Sequence, residues 1–209
     1  MKKFSIALMG MLLFLSACNN AESELNDFYD DFSKSLTEES DLADVNEQYN
    51  ELEKEKADLQ NELNEANLEE INDLSPQLIE NTEERQSLLD EEAEMVNKAK
   101  ETFEDAKETA EDISDESYKN EADSLIAAMD ARFAAHEALN QTYTDALESE
   151  TALFEYLGED EVTQEVIDEH LNEIASFSEP MSQASQDFSK ETEKVNQIKA
   201  EIESILEEN

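Results

Sequence analysis

Residues 122–157 read ADSLIAAMDARFAAHEALNQTYTDALESETALFEYL. Ile126, Met129, Phe133, His136, Tyr143, Leu147 and Phe154 recur there at steps of three, four or seven, and Leu125, Leu139, Ala146 and Leu153 widen the stripe. That spacing places the apolar side chains on one face of an α-helix. The stretch holds no glycine or proline, so nothing inside it ends the helix. It predicts a helix from the polar break at Ser114–Ser117 to Leu157, the most buried of the chain. Gly158 is placed to end it in a left-handed cap.

The same periodicity continues outward in both directions. Towards the N-terminus, Leu78, Thr82, Arg85, Leu89, Glu92, Val96, Ala99, Phe103, Ala106, Ala110 and Ile113 form a stripe, with Leu88 and Met95 beside it. Ser75-Pro76 reads as N-cap and first-turn proline of that helix. Before it, Leu42, Val45, Tyr49, Leu52, Leu59, Leu63 and Ala66 mark a helix from about Asp41 to Asp73, with Lys56 as its one polar interruption. Leu25, Phe28, Tyr29, Phe32 and Leu36 share a face of a shorter helix over 23–36. Towards the C-terminus, Thr163 is placed as a cap with Glu165 in the first turn. Ile167, Leu171, Ile174, Met181, Phe188, Val195, Ile202 and Leu206 carry the pattern on. Pro180 inside it predicts a kink or break near Ser178–Pro180. Helices of about 30–45 residues span roughly 45–65 Å at 1.5 Å per residue. Long helices joined by short breaks pack as antiparallel neighbours. The expected fold is therefore all-α: an elongated antiparallel helical bundle with coiled-coil packing of long helices. One chain supplies its own helical partners, so a monomer is expected.

Composition supports helices and restricts partners. Beyond the N-terminal segment the chain holds one glycine, Gly158, and two prolines, Pro76 and Pro180, too few for repeated hairpins. Asp and Glu number 57 against 14 Lys and Arg, a formal charge of −43. Nucleic acid is excluded as a partner, because phosphate binding needs basic patches. The field also opposes adsorption to anionic lipid or anionic wall polymer.

The N-terminus reads as an export signal. Lys2 and Lys3 precede a nearly continuous apolar run from Phe4 to Leu15, followed by Leu15-Ser16-Ala17-Cys18. The run is shorter than the ~20 apolar residues of a comfortable transmembrane helix, and small residues precede the cleavage point. The tetrapeptide resembles the bacterial lipobox, with Leu15, Ser16 and Ala17 before the modified cysteine. Cys18 is the only cysteine of the chain, and a lone cysteine in an exported protein has a use of its own. The expectation is a signal peptide over 1–17, a lipidated tether over 18–22 and a helical bundle over 23–209. A covalent diacylglyceryl lipid on Cys18 then anchors the chain, with ~0.8 kcal/mol contributed by each buried methylene. Loss of Lys2 and Lys3 with the signal moves the formal charge from −43 to −45.

A search for reaction chemistry returns no catalytic residue and no metal site. His136 and His170 are the only histidines, and Phe133 and Ile167 stand three residues before them, so the Glu-x-x-His pattern of di-iron bundles is missing. His-Glu-x-x-His, a phosphate-binding glycine loop and a nucleophile elbow are absent. His136 lies on the apolar stripe and reads as a core or boundary residue with one hydrogen-bond partner; His170 reads as a surface-edge residue. Gly158-Glu159-Asp160-Glu161 lacks the EF-hand ligand order and reads as a solvated acidic turn. Phe28, Tyr29 and Phe32 admit two readings: an aromatic contact patch near the anchor, or the face that buries the first helix against the bundle.

The lipobox, the Phe28/Tyr29/Phe32 cluster and the long Glu-rich stripes together resemble the YkyA-like family of Gram-positive cell-wall-binding lipoproteins, over Cys18 to Asn209. The resemblance implies a helical bundle, association with the wall and no catalytic residues to carry over. The family mixes Lys with Glu more evenly than this chain does, so wall binding driven by positive charge is not expected here. The expected function is a non-enzymatic lipoprotein at the outer face of the cell membrane, binding peptidoglycan or another envelope protein. An accessory or chaperone-like subunit of an envelope enzyme is the alternative.

Overall fold

The computed structural model describes residues 15–159 and 161–207, with side chains from Asn20 onward except those of Leu68, Glu69 and Asp160. The signal segment Met1–Phe14 lies outside the described residues. The side chains of the lipobox and of Cys18 lie outside them as well. Six helices account for the described fold: α1 (Leu15–Thr37), α2 (Leu42–Glu65), α3 (Leu68–Glu111), α4 (Glu116–Leu157), α5 (Gln164–Ser176) and α6 (Ser178–Glu207). They stand in four antiparallel columns. The broken column α1–α2 runs against α3, α3 against α4, and α4 against the broken column α5–α6. This is the all-α bundle expected from the stripes.

Helix ends depart from the sequence reading in instructive ways. Helix α3 begins seven residues before Ser75, at a reciprocal cap. The Asn67 backbone N–H donates to Glu70 at 2.7 Å, and the Glu70 N–H donates to the Asn67 side chain at 3.3 Å. This capping box satisfies two orphan donors at once, whereas Pro76 satisfies none. Ser75 is therefore not a cap; it is buried inside α3, and its hydroxyl has no partner among the described residues. Pro76 is tolerated in the helix because Asn72, whose carbonyl it frees, lies with it on the exposed face. Gly158 ends α4 with φ −83° and ψ 0°, in the right-handed region and not in a left-handed cap. Thr163 does precede α5, but its hydroxyl lies 3.3 Å from the Tyr156 hydroxyl and does not cap the helix. Asp115 caps α4 by accepting from the N–H groups of Ser117 and Tyr118 at 2.8 and 3.2 Å. The break near Pro180 falls at Phe177. Pro180 is thereby the third residue of α6, where no intrahelical donor is lost.

Two apolar cores follow one another along the bundle. The larger joins Leu25, Phe28 and Phe32 of α1 to Phe103 and Ala106 of α3, Met129 and Phe133 of α4, and Val195 and Ile202 of α6. The smaller joins Leu59 of α2, Leu74 and Leu78 of α3, and Leu153, Phe154 and Leu157 of α4. At the end where α1 begins, the bundle closes on itself. The Tyr29 hydroxyl of α1 donates to Glu203 of α6, and Glu24 accepts from the N–H and hydroxyl of Ser114, each at 2.7 Å. Those two bonds hold the Glu24 carboxyl below its ordinary value. Their contribution is present above the ordinary carboxylate value and is lost as the pH falls from there through the lowered one. At the other end the backbone of α2 comes close to α3 and approaches neither α5 nor α6, while its side chains reach α4. The bundle is thus closed near the α1 end and splayed between α2 and α5.

The surface charge gives a direct test of this architecture. Carboxylates one helical turn apart repel, and most face solvent. The screening length is ~10 Å at 0.1 M salt and ~3 Å at 1 M. The thermal midpoint, followed by circular dichroism, is expected to rise from low to molar sodium chloride. A flat or falling midpoint would refute self-repulsion as a strain on the fold.

Candidate functional site: a polar waist between the two cores

The polar residues that interrupt the stripes meet at one level of the bundle. Lys56 and Glu53 of α2, Arg85 of α3 and Glu150 of α4 form a closed square of charges. Arg85 donates to Glu53 at 2.7 Å and to Glu150 at 2.5 Å. Lys56 reaches Glu53 and Glu150, each at 3.0 Å. Arg85 is 1% exposed, deeper than any other charged residue described. Two further N–H groups go to Asn81 at 3.0 Å and Thr82 at 3.1 Å. A planar guanidinium suits this position because its five N–H groups form a fixed fork. Burial opposes its charge, and the fields of Glu150 and Glu53 more than restore it, so Arg85 stays above its ordinary value. Asn81 also donates to the Leu52 carbonyl at 2.9 Å, and Asn140 donates to the Leu89 carbonyl at 2.9 Å. The waist therefore cross-links α2, α3 and α4 in register.

Beside the square lies a cavity of about 510 Å³, in the splay between α2 and α5–α6. Tyr49 and Tyr143 meet there edge to face, with ring centroids 6.0 Å apart. Burial is the main influence raising both phenols, so both are neutral at ordinary pH. Glu92 accepts from His136 Nε2 at 3.0 Å, and the His136 ring meets the Phe188 ring 5.4 Å away. Arg132 fastens the flanking breaks. It holds Glu39 of the α1–α2 turn in a fork at 2.7 and 2.5 Å, and stacks over Phe188 of α6 at 5.3 Å.

The sequence-read residues fall as follows. Phe28 and Phe32 have no exposed surface and Tyr29 is half-buried. The aromatic contact patch is therefore not at the surface: the three residues fasten α1 to the core, since apolar rings facing α3 gain more from burial than from water. His136 is buried with Glu92 as its partner, and His170 is half-exposed beside the Tyr156 ring. The described residues contain no group of three or more His, Cys, Asp or Glu able to hold a metal ion. Glu53, Glu150 and Tyr143 were not singled out as site residues. Their signal was available: Lys56, Arg85, Glu92, Asn140 and Glu150 all occupy core-phase positions, where a polar residue needs a partner.

A family model described as "Putative cell-wall binding lipoprotein", YkyA, matches residues 23–205. The chain belongs to the YkyA family. A curated relative, "Uncharacterized lipoprotein YkyA" of Bacillus subtilis (strain 168), is 24% identical over 199 residues, 94% of this chain and 89% of that protein. The YkyA-family bundle also resembles a crystal structure described as a conserved protein of unknown function from Staphylococcus aureus. That likeness has a TM-score of 0.81 at 21% identity and covers 88% of this chain and 93% of the other, so it establishes the fold. None of these YkyA-family and structural matches names an enzymatic activity. Membership implies a membrane-anchored lipoprotein of the envelope. No described helix is long and apolar enough to cross a membrane.

Proposed function

We propose that this YkyA-family chain is a non-enzymatic lipoprotein on the outer face of the cell membrane, anchored by lipid on Cys18, and that its waist cavity binds a component of the cell wall. The observation that carries the reading is the cavity itself: a roomy, polar, aromatic-lined opening beside the charged waist. Tyr49 and Tyr143 offer ring surface, and Asn46, Asn50 and Asn140 offer amide groups, the mixture that sugar and peptide ligands need. A binding role suits the chemistry better than catalysis. Among the described residues no hydroxyl bonds His136, and Lys56 and Arg85 are each committed to two carboxylates. The cavity lies 20 to 34 residues up α4 from Glu116, or roughly 30–50 Å from the anchored end. That is beyond the headgroups of a membrane at the anchor.

Two expectations test the proposal separately. Cys18→Ser is expected to leave the precursor uncut or release the protein from the membrane; normal processing with full membrane retention would refute lipidation. Purified peptidoglycan is expected to retain the full chain at several salt concentrations, and Tyr143→Ala is expected to weaken retention about tenfold, the equivalent of ~1.4 kcal/mol. Retention that ignores Tyr143 would place any wall contact elsewhere.

A further inference from the structure

We propose that the waist cavity selects ligands bearing a protonated amine, received between Glu92 and the Tyr49–Tyr143 pair. The inference rests on the reading above that this cavity is the binding site, and names the chemistry it takes. An open carboxylate oxygen on Glu92 and the balance of charge around the cavity carry it.

The cationic donors beside the cavity are committed to the chain's own carboxylates. Arg85 gives four of its five N–H groups to Asn81, Thr82, Glu53 and Glu150. Lys56 gives to Glu53 and Glu150. A carboxylate only accepts, so His136 Nε2 spends its hydrogen on Glu92. Asn46, Asn50 and Asn140 each give one of two amide N–H groups to the backbone carbonyls of Leu42, Asn46 and Leu89. Acceptors also stand open there. Glu92 Oε2 and the side-chain oxygens of Asn46, Asn50 and Asn140 accept from no described residue. Among these open acceptors Glu92 Oε2 alone is charged, and it favours a ligand that donates.

Charge narrows the class. Lys56 and Arg85 are balanced by Glu53 and Glu150, which leaves Glu92 as the one uncompensated charge beside a histidine. The surrounding chain carries −43, so an anionic ligand is repelled from every side. A neutral sugar draws little from Glu92. An ammonium group gains a charge-assisted hydrogen bond to Glu92 and a seat against the tyrosine rings. The chain already seats its own cations in this way, with Lys107 over Phe103 at 5.5 Å and Arg132 over Phe188 at 5.3 Å.

Such an amine can sit on an amino sugar or at the end of a peptide side chain, and matched probes separate the two. The full chain in non-ionic detergent is titrated with chitobiose and with Nα-acetyl-lysine methylamide, each beside its N-acetylated counterpart, while the Tyr49 and Tyr143 resonances are followed by NMR. The free amine is expected to bind at least about tenfold more tightly than the acetylated form in one of the two pairs, and that pair names the source. Glu92→Gln, which keeps an oxygen for His136, is expected to erase the preference. Glu94→Gln removes the same charge from the exposed face of α3 and is expected to leave it intact. Equal binding of free and acetylated probes overturns the amine inference while leaving a cavity that binds. Equal weakening by the two glutamine variants overturns it in favour of the general field. Silence of both tyrosines towards every probe, with Tyr143-dependent retention on peptidoglycan, also overturns it without touching the proposed function.

Discussion

Arg85→Ala is expected to lower the unfolding free energy by ~3–5 kcal/mol, the cost of leaving buried charges without their partner. The substitution strands Glu150, itself only 9% exposed, and leaves Lys56 as the sole cation for two carboxylates. It also takes a donor from Asn81 and from Thr82. The loss is thus the exposure of a defect, and its size does not measure a net gain from the ion pairs. Arg85→Met combined with Glu150→Leu isolates that distinction. The double variant removes both buried ends, leaves Lys56 paired with Glu53, and is expected to be more stable than Arg85→Ala alone. Urea unfolding measures both. A double variant less stable than the single one would show that the square stabilises the bundle outright. Arg85→Lys is not expected to rescue the site, because an ammonium cannot reach Glu53, Glu150, Asn81 and Thr82 together.

Phe133→Ala is expected to cost ~3–5 kcal/mol in chemical denaturation. Phe133 is 3% exposed at the centre of the larger core. Its ring meets Phe103 with centroids 6.0 Å apart and interplanar angle 63°, and Phe103 meets Phe32 at 6.3 Å. The truncation therefore opens a void where α1, α3 and α4 share one aromatic contact. Surrounding helices pinned by polar cross-links at the waist have little freedom to close it. A loss under about 1 kcal/mol would mean that the core collapses onto the smaller side chain, or that these rings are not packed together.

The two variants probe different levels of design. Phe133 sits where periodicity alone placed an apolar side chain, and its neighbours on the stripe of α4, Met129 and Ala122, are buried with it. Arg85 sits on an equally regular stripe, yet its role depends on which residues face it from other helices. Lys56 looked like a single defect in α2. Glu92 and Thr82 looked like substitutions within α3. Only their convergence on one level makes a waist of them.

Helix ends show the same division at shorter range. The Asn67/Glu70 capping box is written in four consecutive residues, yet it lies inside the stretch that periodicity carried as one helix to Asp73, with Ser75-Pro76 as the next start. The capping box prevailed because it satisfies two backbone donors, while a proline on an exposed helix face costs only a bond whose carbonyl lies on the solvent side. Gly158 shows the opposite limit. Its freedom to adopt a left-handed conformation was plain in the sequence, and the turn into α5 did not require it.

By itself, the sequence determined the all-α class, the antiparallel columns, the breaks before α4 and near Pro180, and the buried face of α4. These follow from residue spacing and from breakers, which act over one or two helical turns and need no knowledge of distant partners. Tertiary structure alone decided that the bundle closes near α1 and splays between α2 and α5, that a cavity of about 510 Å³ opens in the splay, and that Glu53, Lys56, Arg85 and Glu150 complete one another beside it. The physical reason is that a buried charge is tolerable only with a partner, and the partners of Arg85 stand 32 and 65 residues away along the chain. Periodicity marks which face of a helix turns inward, but the level at which one helix meets the next is set by packing in three dimensions.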